Sequence, residues 1–322
     1  MKTHIVIALV AACTAVPCCL AAKEKPPAGP VAPIGWLELR TGSRKLSVSK
    51  EDLQKASRDL AQGLVIPVYK TKEKHGQTLA RVGALNLETG NAELGWMEIN
   101  PSELKPAESY PPDDELFRKL GGPYLDDFTA NHTDIARYLV RQADGSPALL
   151  CYVLTAPLSM AKVVIFSPQQ GTYAPTTTLN ITIGEMDAGF TSIEVRDLIG
   201  DGGDCVITKE QFREQAQSFG KMLRIRRIAE GKFQDLWQAP IKYQNLSEYN
   251  PQMQILRPPE QNIGAPGTKT SGEVTFRPHG KGLEPVWKGK IEFYVAGREN
   301  ALDSVSVEKA CPWNGHAFAP LR

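Results

Sequence analysis

The sequence predicts a mainly β chain: a small β-barrel with one helix over residues 34–105, then a larger antiparallel β domain, partly propeller-like or a sandwich, over 129–322. Three observations carry this. Short runs rich in β-branched and aromatic residues recur at close intervals, pairs of Gly, Asn and Asp with turn chemistry separate them, and few stretches show helical spacing.

Before the first strand, residues 1–22 begin with Lys2, run through apolar positions 5–12 and end among the small residues Cys19, Leu20, Ala21 and Ala22, the order of a secretion signal. Pro17 interrupts the run, which is too short for a membrane span of about 20 apolar residues, so cleavage is expected. Val10-Ala11-Ala12-Cys13 also resembles a bacterial lipoprotein box. That resemblance implies lipidation of Cys13 and an outer-membrane anchor, although residues 14–16 stay apolar where lipoproteins turn polar. Residues 23–33, rich in Pro, Ala and Gly, read as a flexible linker.

The predicted barrel starts with the strand 35–39, Gly-Trp-Leu-Glu-Leu. A helix is expected over 49–62, with Ser49 as its cap, Leu53, Ala56 and Leu60 on one face and Gly63 at its end. Strands follow over 64–69, 79–85 and 95–99, the last reading Gly-Trp-Met-Glu-Ile and repeating the first strand sixty positions later. Residues 62–100 resemble bacterial Src-homology-3-like (SH3-like) domains, in which a Val-Tyr strand and a turn precede a Gly-Trp-Val element. Aromatics at the barrel edge of that family bind peptides or cell-wall fragments, which implies Tyr69 and Trp96 as ligand-binding residues here. The alternative is that both rings fill a small core.

Four prolines over 101–112 mark a seam, and 106–128 is expected to be a linker carrying a short helix over 113–120 that ends at Gly121-Gly122. A strand over 135–140 then leads through the turn Ala143-Asp144-Gly145-Ser146 into strands over 149–155 and 161–166. Stretches 163–173, 223–233 and 305–318 share a form: an alternating strand, a Gly turn and an aromatic residue that opens the next strand. Thr208-Lys209-Glu210-Gln211 has capping-box spacing, which predicts a helical turn reaching Ser218.

Residues 193–207 place a strand, an Asp/Gly loop and another strand in succession. They resemble the FG-GAP and VCBS repeats of bacterial surface proteins, found in β-propeller blades, whose aspartate loop can hold calcium. The resemblance implies Asp197, Asp201 and Asp204 as metal ligands, with Gly202 at the sharp turn. Ile199 replaces an oxygen ligand and Cys205 stands where the closing carboxylate belongs, two losses for an ion that takes roughly six to eight oxygens. Self-bonding of the loop by its own aspartates is the alternative.

Removal of 1–22 takes away only Lys2, so 37 basic residues become 36 against 36 acidic ones. A neutral chain lacks the footprint of a nucleic-acid binder; the best basic cluster is Arg224, Arg226, Arg227 and Lys232, read as a solvated strand face. Cys151, Cys205 and Cys311 remain; each has apolar neighbours, and Cys205 with Cys311 is the expected pair if a bridge forms. His75, His132, His279 and His316 form no pair at metal spacing, and no nucleophile elbow or phosphate loop occurs. The expectation is a non-catalytic exported envelope protein, periplasmic or extracellular, that binds or scaffolds. Its partner would be an envelope protein or a cell-wall polymer, with no nucleic acid and no membrane span in the mature chain. Alternatives are a cell-wall-acting hydrolase with a wall-binding SH3-like module and a calcium-dependent adhesion protein.

Overall fold

The computed structural model describes residues 32–40, 44–47, 57–113, 115–116, 132–156, 160–169, 172–181, 189–215, 218–230, 232–245, 266–295 and 300–321. The expected signal, Cys13 and nearly all of the linker lie outside them.

Among the described residues eighteen strands form two antiparallel sheets. The first sheet contains β1 (Gly35–Glu38), β2 (Arg44–Ser47), β3 (Ser57–Leu60), β4 (Leu64–Lys74), β5 (Gln77–Asn86), β6 (Asn91–Ile99), β7 (Leu104–Pro106), β8 (His132–Arg141), β9 (Pro147–Ala156), β10 (Met160–Gln169) and β11 (Thr172–Ile181). Its order is β11-β10-β9-β8-β4-β5-β6-β2-β3, with β1 against β4 and β7 against β1. The second contains β12 (Gly189–Arg196), β13 (Cys205–Gln215), β14 (Ser218–Ala229), β15 (Lys232–Asn245), β16 (Pro266–His279), β17 (Gly282–Val295) and β18 (Asp303–Ala310), each beside its sequence neighbour.

The chain is mainly β, as its alternating runs predict, but the first sheet is open where a small barrel was expected. β1 lies against β4 and β2 against β6, so these two strands reach both edges of the β4–β6 meander. Closure fails because β4 spends Leu64 and Val65 on β8 as well, which carries the sheet on into β8–β11. The repeated units are likewise not blades. The first two are the hairpins β10–β11 and β14–β15, in different sheets; after β18 the third has only a Trp313–Phe318 bridge.

Three apolar layers alternate with the two sheets. The middle layer joins Ala136, Tyr138, Val140, Tyr152 and Ile165 of the first sheet to Phe190, Ile193, Val195, Val206 and Ile228 of the second. Behind the first sheet, Trp36, Tyr110 and Leu116 cover Leu139, Leu149, Cys151, Val153, Val164 and Phe166. Behind the second, Cys311 and Phe318 of the C-terminal segment cover Leu223, Ile225 and Trp237, and the Trp237 indole donates to the Ala319 carbonyl at 3.1 Å. Strands buried on both faces need unbroken apolar runs, which is why 149–153 reads Leu-Leu-Cys-Tyr-Val.

Of the expected 49–62 helix, residues 49–56 lie outside the described residues, and Ser57–Leu60 is a strand paired with β2. Leu60 enters the middle layer there, and Arg58 pairs with Glu93 at 2.8 Å. Asp113, Glu115 and Leu116 are helical as expected; 114 and 117–120 are outside the described residues. The helical turn after Thr208 is absent, because residues 205–215 are a strand with a partner on each side. Thr208 and Glu210 point to one face, where the Thr208 hydroxyl donates to Glu210 at 2.7 Å. The turn at Asp144-Gly145 is built as expected, with Gly145 at φ 82° and the Asp144 carboxylate accepting from the Ser146 amide at 2.9 Å.

Candidate functional site

The two Gly-Trp pentapeptides share their inward side chains and differ in where they put the tryptophan. Leu37 and Leu39 in the first, Met97 and Ile99 in the second, enter the same middle layer. Both glycines serve close approach of another strand: a methyl group on Gly35 would lie 2.5 Å from the Lys105 carbonyl oxygen, and one on Gly95 2.8 Å from that of Ser47. Trp36 is buried beneath Tyr110 and donates to the Ala107 carbonyl at 2.8 Å. Trp96 is half-buried on the outward face of β6.

Tyr69 reaches that same face. A bulge between Val68 and Lys70 leaves Tyr69 as an extra residue of β4, and its ring lies over Gly83 of β5, where an added methyl group would stand 3.0 Å from the ring. The same position is 3.6 Å from the Leu94 side chain, which is 43% exposed. Gly83 pairs with Leu94 and Arg81 with Trp96, and residues directly opposite in a ladder share a face. The outward side of β4–β6 therefore presents Tyr69, Leu94, Trp96 and Arg81 together. Flat rings beside a guanidinium suit stacking on extended, partly polar ligands.

Two residues beyond Trp96 on this face, Glu98 reaches the rim of a cleft of about 660 Å³, also lined by Arg44, Lys45, Gln77, Thr78 and Asn100. Arg44 forms an ion pair with Glu103 and donates to the Glu98 carbonyl at 3.3 Å. The pair is the wall shared with a second cleft, of about 310 Å³, lined by Glu38, Arg40 and Lys105. Glu103 also accepts from the Asn100 amide at 3.0 Å, closing a capping box on the short turn Pro101–Glu103. The Arg44 bond outweighs partial burial and, with the Asn100 amide, holds the Glu103 carboxyl below its ordinary 4.5.

A depressed folded-state pKa stabilises above the ordinary value and the benefit is lost as pH falls through the folded one. The melting temperature of Glu103→Gln should therefore lie below that of the parent at neutral pH, with the gap closing below about pH 4.5. Melts at both pH values check this, and a gap independent of pH contradicts it.

The aspartate loop is engaged by its own protein. Asp197 accepts from the amides of Gly200 (2.6 Å) and Gly202 (2.9 Å), and Gly202 has φ 92°, as a sharp-turn glycine should. Asp201 binds both terminal nitrogens of Arg227 at 2.8 and 2.9 Å. Burial raises the Asp201 pKa, but the Arg227 and Gly203 bonds outweigh it and hold the carboxyl below its ordinary range. Asp204 is buried and accepts from the Arg141 amide (2.8 Å) and guanidinium (3.0 Å), while its own amide donates to the Arg141 carbonyl at 2.8 Å. The three carboxylates face different partners, and no group of three or more His, Cys, Asp or Glu suited to a metal occurs among the described residues.

Cys205 and Cys311, the pair named if a bridge forms, share one apolar layer as free buried thiols, and Cys151 is free and buried too. Burial pushes Cys151 and Cys205 up to about 12. Of the basic cluster Lys232 is exposed, but the arginines do not form a solvated face. Arg226 and Arg227 are buried, because Arg226 pairs with Glu210 and Asp235, Arg227 with Asp201, and Arg224 with Glu210 at 3.1 Å.

Sequence reasoning singled out Tyr69 and Trp96 but missed Arg81, Gly83 and Leu94. The signal lay in the alternation, since positions 81 and 83 of one run and 94 and 96 of the next fall on the face opposite the buried Ala80, Val82 and Met97. Among the described residues no helix is long and apolar enough to cross a membrane. Comparison with protein-family models, with curated proteins and with solved structures finds no match to the chain in any of the three.

Proposed function

We propose that this protein is an exported, non-catalytic binding or scaffolding protein of the cell envelope, and that the outward face of β4–β6 is its contact surface for cell-wall polymer. The carrying observation is the shared placement of Tyr69 and Trp96 with Arg81 and the 43%-exposed Leu94, on strands whose opposite face anchors the middle layer. A surface aromatic face backed by a packed core holds its shape without a ligand, so little ordering cost is added on binding. The order of charge, apolar run and small residues in 1–22 supports export.

The test is retention on insoluble peptidoglycan. The parent should be retained without releasing soluble fragments, and Trp96→Ala or Tyr69→Ala should each weaken retention about tenfold, the worth of one stacked ring. Absence of retention, or equal retention by both variants, overturns this reading. Release of soluble fragments would point instead to a hydrolase.

A further inference from the structure

β18 is the last strand of its sheet and pairs only with β17 among the described residues. Its charged residues stand towards its ends, at Asp303, Glu308 and Lys309, and its middle, Ser304 to Val307, carries none. Leu302 just before it is 52% exposed and Val305 within it 45% exposed.

The backbone on this edge has a definite parity. The Cys311 amide donates to the Pro285 carbonyl, and Cys311 with Pro285 continues the β17–β18 register one step, so the odd-numbered residues of β18 spend their amides on β17. The two-residue turn between His279 and Gly282 fixes the same alternation from the other side, since it makes the even residues of β17 bond to β16. Ser304, Ser306, Glu308 and Ala310 therefore turn their N–H and C=O groups to the open edge.

That parity selects which strands can add, and the sequence 302–310, Leu-Asp-Ser-Val-Ser-Val-Glu-Lys-Ala, satisfies it with itself. Antiparallel pairing about a two-fold axis at Ser306 sets Leu302 opposite Ala310, Asp303 opposite Lys309, Ser304 opposite Glu308 and Val305 opposite Val307. The pairs Ser304–Glu308 and Ser306–Ser306 then exchange backbone bonds, as the parity demands, while Leu302 keeps its amide on the Phe293 carbonyl at 2.8 Å and each odd pair is either apolar or of opposite charge. An axis at Glu308 instead would oppose two like charges. The odd side chains stand on the side of β17 that carries Trp287 and Ile291, where Val307 already packs against the apolar layer of the second sheet. Pairing would run that layer from one molecule into the next.

We propose that β18 is the contact surface for a second copy of this chain, joined antiparallel about Ser306 in a two-fold dimer with one sheet continuous through both molecules. One added strand pair is a small interface, and the dimer is accordingly weak, with a Kd of roughly micromolar to tens of micromolar.

Sedimentation of the purified protein over a concentration series tests this. The parent should pass from monomer to dimer. Ser306→Pro, which removes an amide facing the open edge and none used by β17, should stay monomeric with an unchanged melt. Asp303→Lys should raise the dimer Kd about tenfold by opposing like charges twice, and Asp303→Lys with Lys309→Asp should restore it. The restoration has to act between molecules, because positions 303 and 309 of one strand stand about 20 Å apart. A parent that stays monomeric throughout overturns the proposal, as does a dimer that survives Ser306→Pro or a folded double variant that fails to recover.

Discussion

Trp36→Ala is expected to lower the unfolding free energy by about 3–5 kcal/mol, the range for a large aromatic removed from a packed core. Trp36 is 1% exposed and three contacts converge on it. Its indole bonds the Ala107 carbonyl, its ring meets Tyr110 edge-on at 5.8 Å, and the Arg137 guanidinium lies 4.9 Å above it. Arg137 is itself 2% exposed, held also by Asp113 and the Pro111 carbonyl, so truncating Trp36 opens a cavity beside a buried charge. Trp96→Ala, in the matching pentapeptide, should cost less than about 1 kcal/mol because its site faces solvent. Urea unfolding of both variants at unchanged slope checks the contrast. Equal losses would mean that the two tryptophans are not differently placed.

Asp204→Ala should destabilise by about 2–3 kcal/mol, and calcium should leave the melting temperature of the parent unmoved. The Asp204 carboxylate ties the β12–β13 loop to the end of β8 through the amide and guanidinium of Arg141, so its loss strands a backbone donor at the junction of the two sheets. The loop spends its charge on Arg141, Arg227 and its own amides. Thermal melts with and without millimolar calcium decide it. A calcium-dependent rise lost in Asp201→Ala would restore the metal reading.

Most strands were legible because period-two alternation and Asp-Gly turns are local signals. The runs at 64–69, 79–85, 95–99, 135–140 and 149–155 all lie within observed strands. The failures share a physical origin, in that each local pattern was overruled by a distant partner. Leu60 belonged to a helical stripe by spacing, yet residues 57–60 find an edge at β2. Thr208 to Gln211 had capping-box spacing, but Arg226 on β14 bonds Thr208 and Glu210 in an extended register. Barrel closure was likewise decided by β8, some seventy positions beyond β4 (138 against 64), where no local pattern reaches. Of the candidate face, the aromatic residues were legible by type; that they point the same way depended on a bulge at Tyr69, which nothing in the run 64–69 announces.

The middle layer has a bearing on how the molecule is made. Side chains as early as Leu37 are sheltered by side chains as late as Ile228. A ribosome delivering this chain from its amino end therefore releases the whole first sheet before its inner cover exists, and loops this long close slowly. The inner core of the first sheet is therefore completed only once the second sheet has been made.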